Sequence, residues 1–105
     1  MTGSRTHGPL VSIVVVNWNG LKFVDQCLAS LARQTWLERE FILVDNGSSD
    51  GSREVIGSWS KWLPYAQSVF LPDNTGFCRA NNLAFARARG EWIALFDSDA
   101  VAEPT

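Results

Sequence analysis

Hydrophobic and polar positions fall into blocks along this chain of 105 residues. Residues 11–16, with Val11, Ile13, Val14, Val15 and Val16, form a β-branched run that predicts a first strand. Over residues 21–33, Val24, Cys27, Leu28 and Leu31 recur at helical spacing. Residues 41–44, from Phe41 to Val44, read as a second strand. Asp50 stands as the N-cap of a second helix whose apolar stripe is Val55, Ile56, Trp59 and Leu63, and Pro64 helps to end it. Residues 68–71 make a short third strand stopped by Pro72. A third helix over residues 76–89 puts Phe77, Ala80, Ala84 and Ala88 on one face, with Gly90 as its C-terminal stop. Those small residues would let the helix lie close to a sheet. Residues 91–96 predict a fourth, buried strand.

Strands that alternate with helices and are nearly continuous in apolar residues predict an α/β fold. Its parallel sheet is covered by helices on both faces and joined by right-handed crossovers. Ligands in such sheets bind outside the carboxyl ends of the strands, where the strand order reverses. All four predicted carboxyl ends are polar. They read Asn17-Trp18-Asn19-Gly20, Asp45-Asn46-Gly47-Ser48-Ser49-Asp50, Asp73-Asn74-Thr75-Gly76 and Asp97-Ser98-Asp99. This convergence argues for a site more strongly than any one segment does.

Composition narrows the classes. The net charge of −2 argues against a general nucleic-acid binder. No apolar stretch reaches transmembrane length. Residues 1–9 carry no signal-peptide core and read as a disordered tail, leaving residues 10–105 as one domain. His7, the single histidine, lies in that tail, which speaks against a histidine-based dyad or zinc site. Cys27 and Cys78 lack metal-ligand spacing and fall on predicted apolar helix faces, so they read as reduced core thiols, in keeping with the cytoplasm.

The most telling step is the last one. A buried strand that ends in Asp97 and Asp99 puts two acids on one side if the backbone stays extended. Such a pair is poorly placed for stability and well placed to hold a divalent cation and, through it, a phosphate. The glycine routes to phosphate are absent: there is no G-x-G-x-x-G after the first strand and no G-x-x-x-x-G-K-[ST] anywhere. Plainer readings stand beside this one. The first three ends are also the residue types of turns and helix caps. Asp99 could cap a following helix, Asp97 could be a solvated acid, and Arg79 could be a surface ion-pairing residue. Trp18 could stack on a base or simply cover the sheet edge.

Four stretches carry a resemblance. They are residues 11–19, residues 43–52, Asn74-Thr75-Gly76-Phe77 with Asn81 and Asn82, and residues 88–99, in this order and spanning most of residues 10–100. In these the chain resembles the N-terminal, Rossmann-like nucleotide-binding half of a family 2 glycosyltransferase of the GT-A fold. The Asn-Trp-Asn-Gly and Gly-Phe variants are similar to the branch that includes rhamnosyltransferases of cell-surface polysaccharides. The chain departs from the family at Asn46, where a second Asp is frequent, and at Cys78 and Arg79, where small residues are frequent.

The resemblance implies a donor site. Val16, Asn17 and Trp18 would line the base pocket, and Asp45 and Asn46 would contact the base or its ribose. Asn74, Gly76 and Arg79 would lie near the nucleotide or its diphosphate. Asp97 and Asp99 would be the DxD motif, with Asp99 on the metal and Asp97 on the ribose or a metal-bound water. The cofactor would be Mg²⁺ or Mn²⁺. The donor would be a UDP- or dTDP-linked sugar and the acceptor a glycan or lipid-linked glycan. Transfer would be inverting, on the cytoplasmic side and at most peripheral to the inner membrane face. By the same resemblance the general base is an Asp well downstream of Asp99, so residues 10–105 would bind donor without completing catalysis, and a domain truncated there would expose apolar surface and self-associate.

Overall fold

The computed structural model describes residues 10–34 and 38–98. They run β1 (Val11–Asn17), α1 (Leu21–Ala32), β2 (Arg39–Asp45), α2 (Ser52–Trp62), β3 (Ala66–Phe70), α3 (Phe77–Arg87) and β4 (Trp92–Asp97). Every strand pair is parallel, in the order β3-β2-β1-β4. β1 is central. Its Val16 pairs with Val44 of β2 on one side and with Asp97 of β4 on the other. The chain steps outward from β1 to β3 and then crosses back past β1 to lay down β4. The strand order therefore reverses between β1 and β4, at the edge where a ligand crevice forms.

The continuous apolar runs of β1 and β2 follow from burial on both faces. On one face Ile13, Val15, Phe41 and Leu43 meet Val24, Cys27, Leu28 and Leu31 of α1 and Ile56 of α2. On the other, Val14, Val16, Ile42 and Val44 meet Ala80 and Ala84 of α3. The alanines let α3 sit close against the sheet, as their spacing predicts. Arg39 closes the C-terminus of α1 from the start of β2, donating to the carbonyls of Gln34 at 2.8 Å and Ala32 at 3.0 Å. The α1 sequence has no basic residue in its own last turn to do this.

Several expectations need correction. β4 is not buried: Trp92, Ile93 and Leu95 are exposed, because the strand order makes β4 an edge and α3 packs over β1 and β2 instead. β3 covers residues 66–70 rather than 68–71. Cys78 is exposed on α3, and Phe77, at the spacing of the alanine face, is exposed in its first turn, whereas Cys27 is buried. α3 ends at Arg87, before Gly90. Gly90 serves a different need, since a Cβ there would stand 2.7 Å from the Ser12 amide nitrogen and 2.8 Å from the Leu10 carbonyl oxygen. The expected tail and Asp99 lie outside the described residues.

That close approach belongs to a lock at the amino end of the sheet. Buried Glu40 accepts hydrogen bonds from the Ser12 hydroxyl at 2.6 Å, the Arg89 amide at 2.7 Å and Arg89 Nε at 3.4 Å. Gly90 donates to Ser12 Oγ at 2.8 Å. Burial pushes the Glu40 pKa up, but these donors and the Arg89 charge leave it below its ordinary 4.5. A carboxyl with a lower pKa folded than unfolded stabilises fully above its unfolded value, and that contribution is lost as pH falls through the folded value. The urea midpoint should therefore drop as pH is lowered below about 4.5, and E40Q should flatten that dependence. Equal acid sensitivity in the two proteins would rule Glu40 out as a source of the effect.

Candidate functional site

A cleft of about 380 Å³ opens at the carboxyl edge of the sheet, over the β1/β4 switch point. Val16 and Trp18 come from the end of β1, Asn46 from the end of β2, and Asn74 and Phe77 from the β3–α3 connection. Asp97 and Ser98 close it from the end of β4. Of the residues expected at the site, Val16, Trp18, Asn46, Asn74 and Asp97 thus line one cleft. Trp18 is half exposed there. Arg79 and Gly76 do not line the cleft; both are exposed, and Gly76 serves through its backbone.

Asn17 and Asp45 were expected on the nucleotide, and the fold uses them otherwise. They pair across β1 and β2 and share the strand face of Ile13, Val15, Phe41 and Leu43, so they point beneath the cleft, between α1 and α2. Both are fully buried. Asn17 Nδ2 donates to Asp45 Oδ1 at 2.9 Å and to the hydroxyls of Ser52 at 2.8 Å and Ser48 at 3.2 Å. Asp45 also accepts from the Ser48 amide at 2.9 Å and the Ser48 hydroxyl at 2.6 Å, with Arg53 at 3.9 Å.

Asp50 extends this network to the surface. It was expected at the N-cap of α2, but Gly51 occupies that position with φ of 96°. From one residue earlier Asp50 still accepts from the Ser52 amide at 3.0 Å and hydroxyl at 2.6 Å, and its other oxygen accepts from the Leu21 amide at 3.0 Å. One carboxylate thus satisfies the first amide of both α1 and α2. Burial raises its pKa, but these donors outweigh that and leave it lowered.

Asn46 governs the facing loop. Its Oδ1 accepts from the Thr75 amide at 2.9 Å and hydroxyl at 3.1 Å. Its Nδ2 donates to Asn74 Oδ1 at 3.2 Å and to the Gly76 carbonyl at 3.4 Å. Gly47, with φ of 82°, lets the Asp73–Asn74 backbone pass so close that a Cβ would collide with it. Asn46 therefore shapes the cleft wall while its polar atoms are committed to residues 74–76.

Asp97 is the one titratable side chain among the described residues that line the cleft. Its backbone carbonyl accepts from the Cys27 thiol at 3.6 Å. No group of three His, Cys, Asp or Glu side chains that could hold a metal ion occurs among the described residues. Asn19, Gly20 and Ser98, from the polar strand ends, also line the cleft, as do Phe23 and Phe77, which were not expected there. For Phe23 a signal existed, since it interrupts the exposed side of α1 with an apolar ring.

Residues 12–105 match the family model of Glycosyl transferase family 2. The chain belongs to this family. It is 33% identical over 91 residues to TuaG of Bacillus subtilis (strain 168), a glycosyltransferase assigned to teichuronic acid biosynthesis, covering 87% of this chain and 36% of that protein. It is 32% identical over 90 residues to the glycosyltransferase GlyG of Streptococcus pneumoniae, covering 86% of this chain and 30% of that one. The chain spans about a third of the length of these curated relatives. Its fold is similar to that of the mannosyltransferase PcManGT from Pyrobaculum calidifontis, solved with GDP-Man and Mn²⁺, at a TM-score of 0.84 and 26% identity over 91% of this chain and 29% of that one. S. aureus TarS 1-349 with UDP-GlcNAc matches at a TM-score of 0.78 and 29% identity, over 86% of this chain and 26% of that one.

In this glycosyltransferase chain the hydrogen bonds of Asn46 require a side chain that both donates and accepts. N46D keeps the acceptors but sets a carboxylate against Asn74 Oδ1 and the Gly76 carbonyl, both of which are acceptors. It should cost about 1–3 kcal/mol in urea denaturation. Amide exchange should quicken at Thr75 and Gly76 first. A stability equal to that of the parent protein would mean that Asn46 does not hold the loop.

Proposed function

We infer that the cleft at the β1/β4 switch point binds the nucleoside-diphosphate part of a sugar donor, and that the full-length protein transfers that sugar during cell-surface polysaccharide synthesis. The observation that carries this reading is the joint presence of Trp18 and Asp97 in one cleft. The half-exposed indole of Trp18 supplies an apolar face on which a base can stack. Val16 gives the floor, and the Asn46–Asn74 contact fixes the wall beside it. Asp97, in the same cleft, supplies the carboxylate that would act at the diphosphate. The neighbours solved with GDP-Man and with UDP-GlcNAc support a nucleotide-sugar ligand without settling the base.

A divalent ion fits this donor set. Mg²⁺ and Mn²⁺ accept one or two carboxylates completed by waters and substrate phosphates, and Asp97 offers a hard oxygen in the cleft. Asp99 joins it on the strength of the sequence motif. When bound, such an ion neutralises the negative charge of the departing diphosphate. Asp97 is acidic and faces the donor end, so we assign it to holding the donor. The proton of the acceptor hydroxyl then goes to a base elsewhere in the full-length protein, as an inverting transfer requires. A cytoplasmic setting is supported by Cys78, an exposed thiol outside any disulfide.

UDP, dTDP and GDP titrated with and without Mn²⁺ should show binding that the metal strengthens in the parent chain. That enhancement should fall tenfold or more in D97A and in D99A, the loss of about one charge-assisted contact. Metal-independent binding that both substitutions leave alone would remove the aspartates from the site. We also assign self-association to the open edge of β4. Its exposed Trp92, Ile93 and Leu95 contrast with β3, which carries the polar pair Gln67 and Ser68 and is followed by Pro72. Sedimentation of the 105-residue chain should show a dimer that dissociates on dilution and is weakened by I93K. A monomer at every concentration would refute this.

A further inference from the structure

The buried network beneath the cleft is satisfied everywhere except at one atom. Asn17 Oδ1 is buried and has no hydrogen-bond partner. The side chain cannot be turned to relieve it. Its Nδ2 faces Asp45 Oδ1, Ser48 Oγ and Ser52 Oγ. The two hydroxyl hydrogens are already given to Asp45 and Asp50, each at 2.6 Å, so all three atoms act as acceptors toward Asn17. A flipped amide would press its oxygen against a carboxylate oxygen. The direction of Oδ1 is therefore set by chemistry, and a buried carbonyl left this way is costly.

It points toward the exit of β4. A Cβ at Gly20 would collide with Asn17 Oδ1 and with Ser98 Oγ together, so the two oxygens converge on one point that only glycine leaves open. Ser98 is itself buried, follows Asp97 directly, and lines the cleft with it. Its hydroxyl is a donor whose direction depends only on rotation about χ1 and the C–O bond.

We propose that Ser98 donates to Asn17 Oδ1, and that this bond latches the exit of β4, with the Asp97 carboxylate, onto the buried Asn17–Asp45 network. Asn17 is then a positioning residue for the donor cleft, not a ligand of the nucleotide. The unmet acceptor gives the latch its driving force, because closing it relieves a buried polar atom. Gly20 is required because any side chain there would separate the pair. Whatever ligand seats against Asp97 gains from a β4 exit already held in place, so the latch and the cleft are thermodynamically linked.

The effect on the nucleotide rests on the donor-site reading above, but the latch itself does not, and the experiment separates them. The ¹³Cγ resonance of the Asn17 amide would be followed in the parent chain and in S98A, alone and with UDP or GDP plus Mg²⁺. The expected result is a displaced Asn17 resonance in S98A, with other network resonances unmoved. Nucleotide affinity should also be about tenfold lower in S98A, the scale of one buried hydrogen bond. An Asn17 resonance indifferent to S98A in both states would overturn the latch. A resonance that moves in a chain binding neither UDP nor GDP would uphold the latch and remove the donor-site reading instead.

Discussion

A carboxylate with no exposed atom is tolerable only when hydrogen bonds meet its charge, and Asp45 imposes that requirement on the whole upper edge of this sheet. Its partners come from three places. Asn17 lies at the end of β1, Ser48 in the β2–α2 turn, and Arg53 in the first turn of α2. The charge thus fixes how the central strand ends, how the next loop bends and where α2 starts. Arg53 carries the arrangement one strand further, donating to the Leu71 carbonyl at 3.0 Å with its guanidinium over the Phe70 ring. A hydrophobic substitute at residue 45 could fill the space but could not specify these directions.

Two layers of polar residues therefore lie at the carboxyl edge. The lower one, of Asn17, Asp45, Ser48, Ser52 and Asp50, is structural. The upper one, of Trp18, Asn46, Asn74, Asp97 and Ser98, faces the cleft. Rigid support from below is what a binding site needs if its groups are to stay in place when a ligand arrives, since groups on unsupported loops lose affinity to ordering. Asn46 belongs to both layers, because it lines the cleft and ties down residues 74–76.

Much of this was legible in the chain. Strand and helix positions followed from apolar periodicity because β1, β2, α1 and α2 bury what their patterns predict. The position of the cleft agrees with the polar residues at the strand ends. Asn17 and Asp45 share the parity of Val15 and Leu43 in their own strands, and the period-two alternation turns them into the core beneath the cleft and not into it. The exposure of β4 was not legible. An apolar run says that a strand can be buried, whereas its rank in the sheet depends on which crossover the chain takes. Gly90 read as a helix stop since only the folded chain brings Leu10 and Ser12 against it.

The register of the central strand has a further consequence. Val11 pairs with Arg39 on one side and with Trp92 on the other, so β1 is completed by the described strand most distant from it in sequence. Closing so long a loop is entropically slow, and contacts this distant in sequence form late. The β1–β2–β3 portion can assemble as the chain leaves the ribosome, while the β1/β4 crevice waits for its second wall. A partly synthesised or partly unfolded molecule then keeps most of this sheet and lacks the cleft. The cleft is in this sense completed late, by the most distant pairing of the central strand.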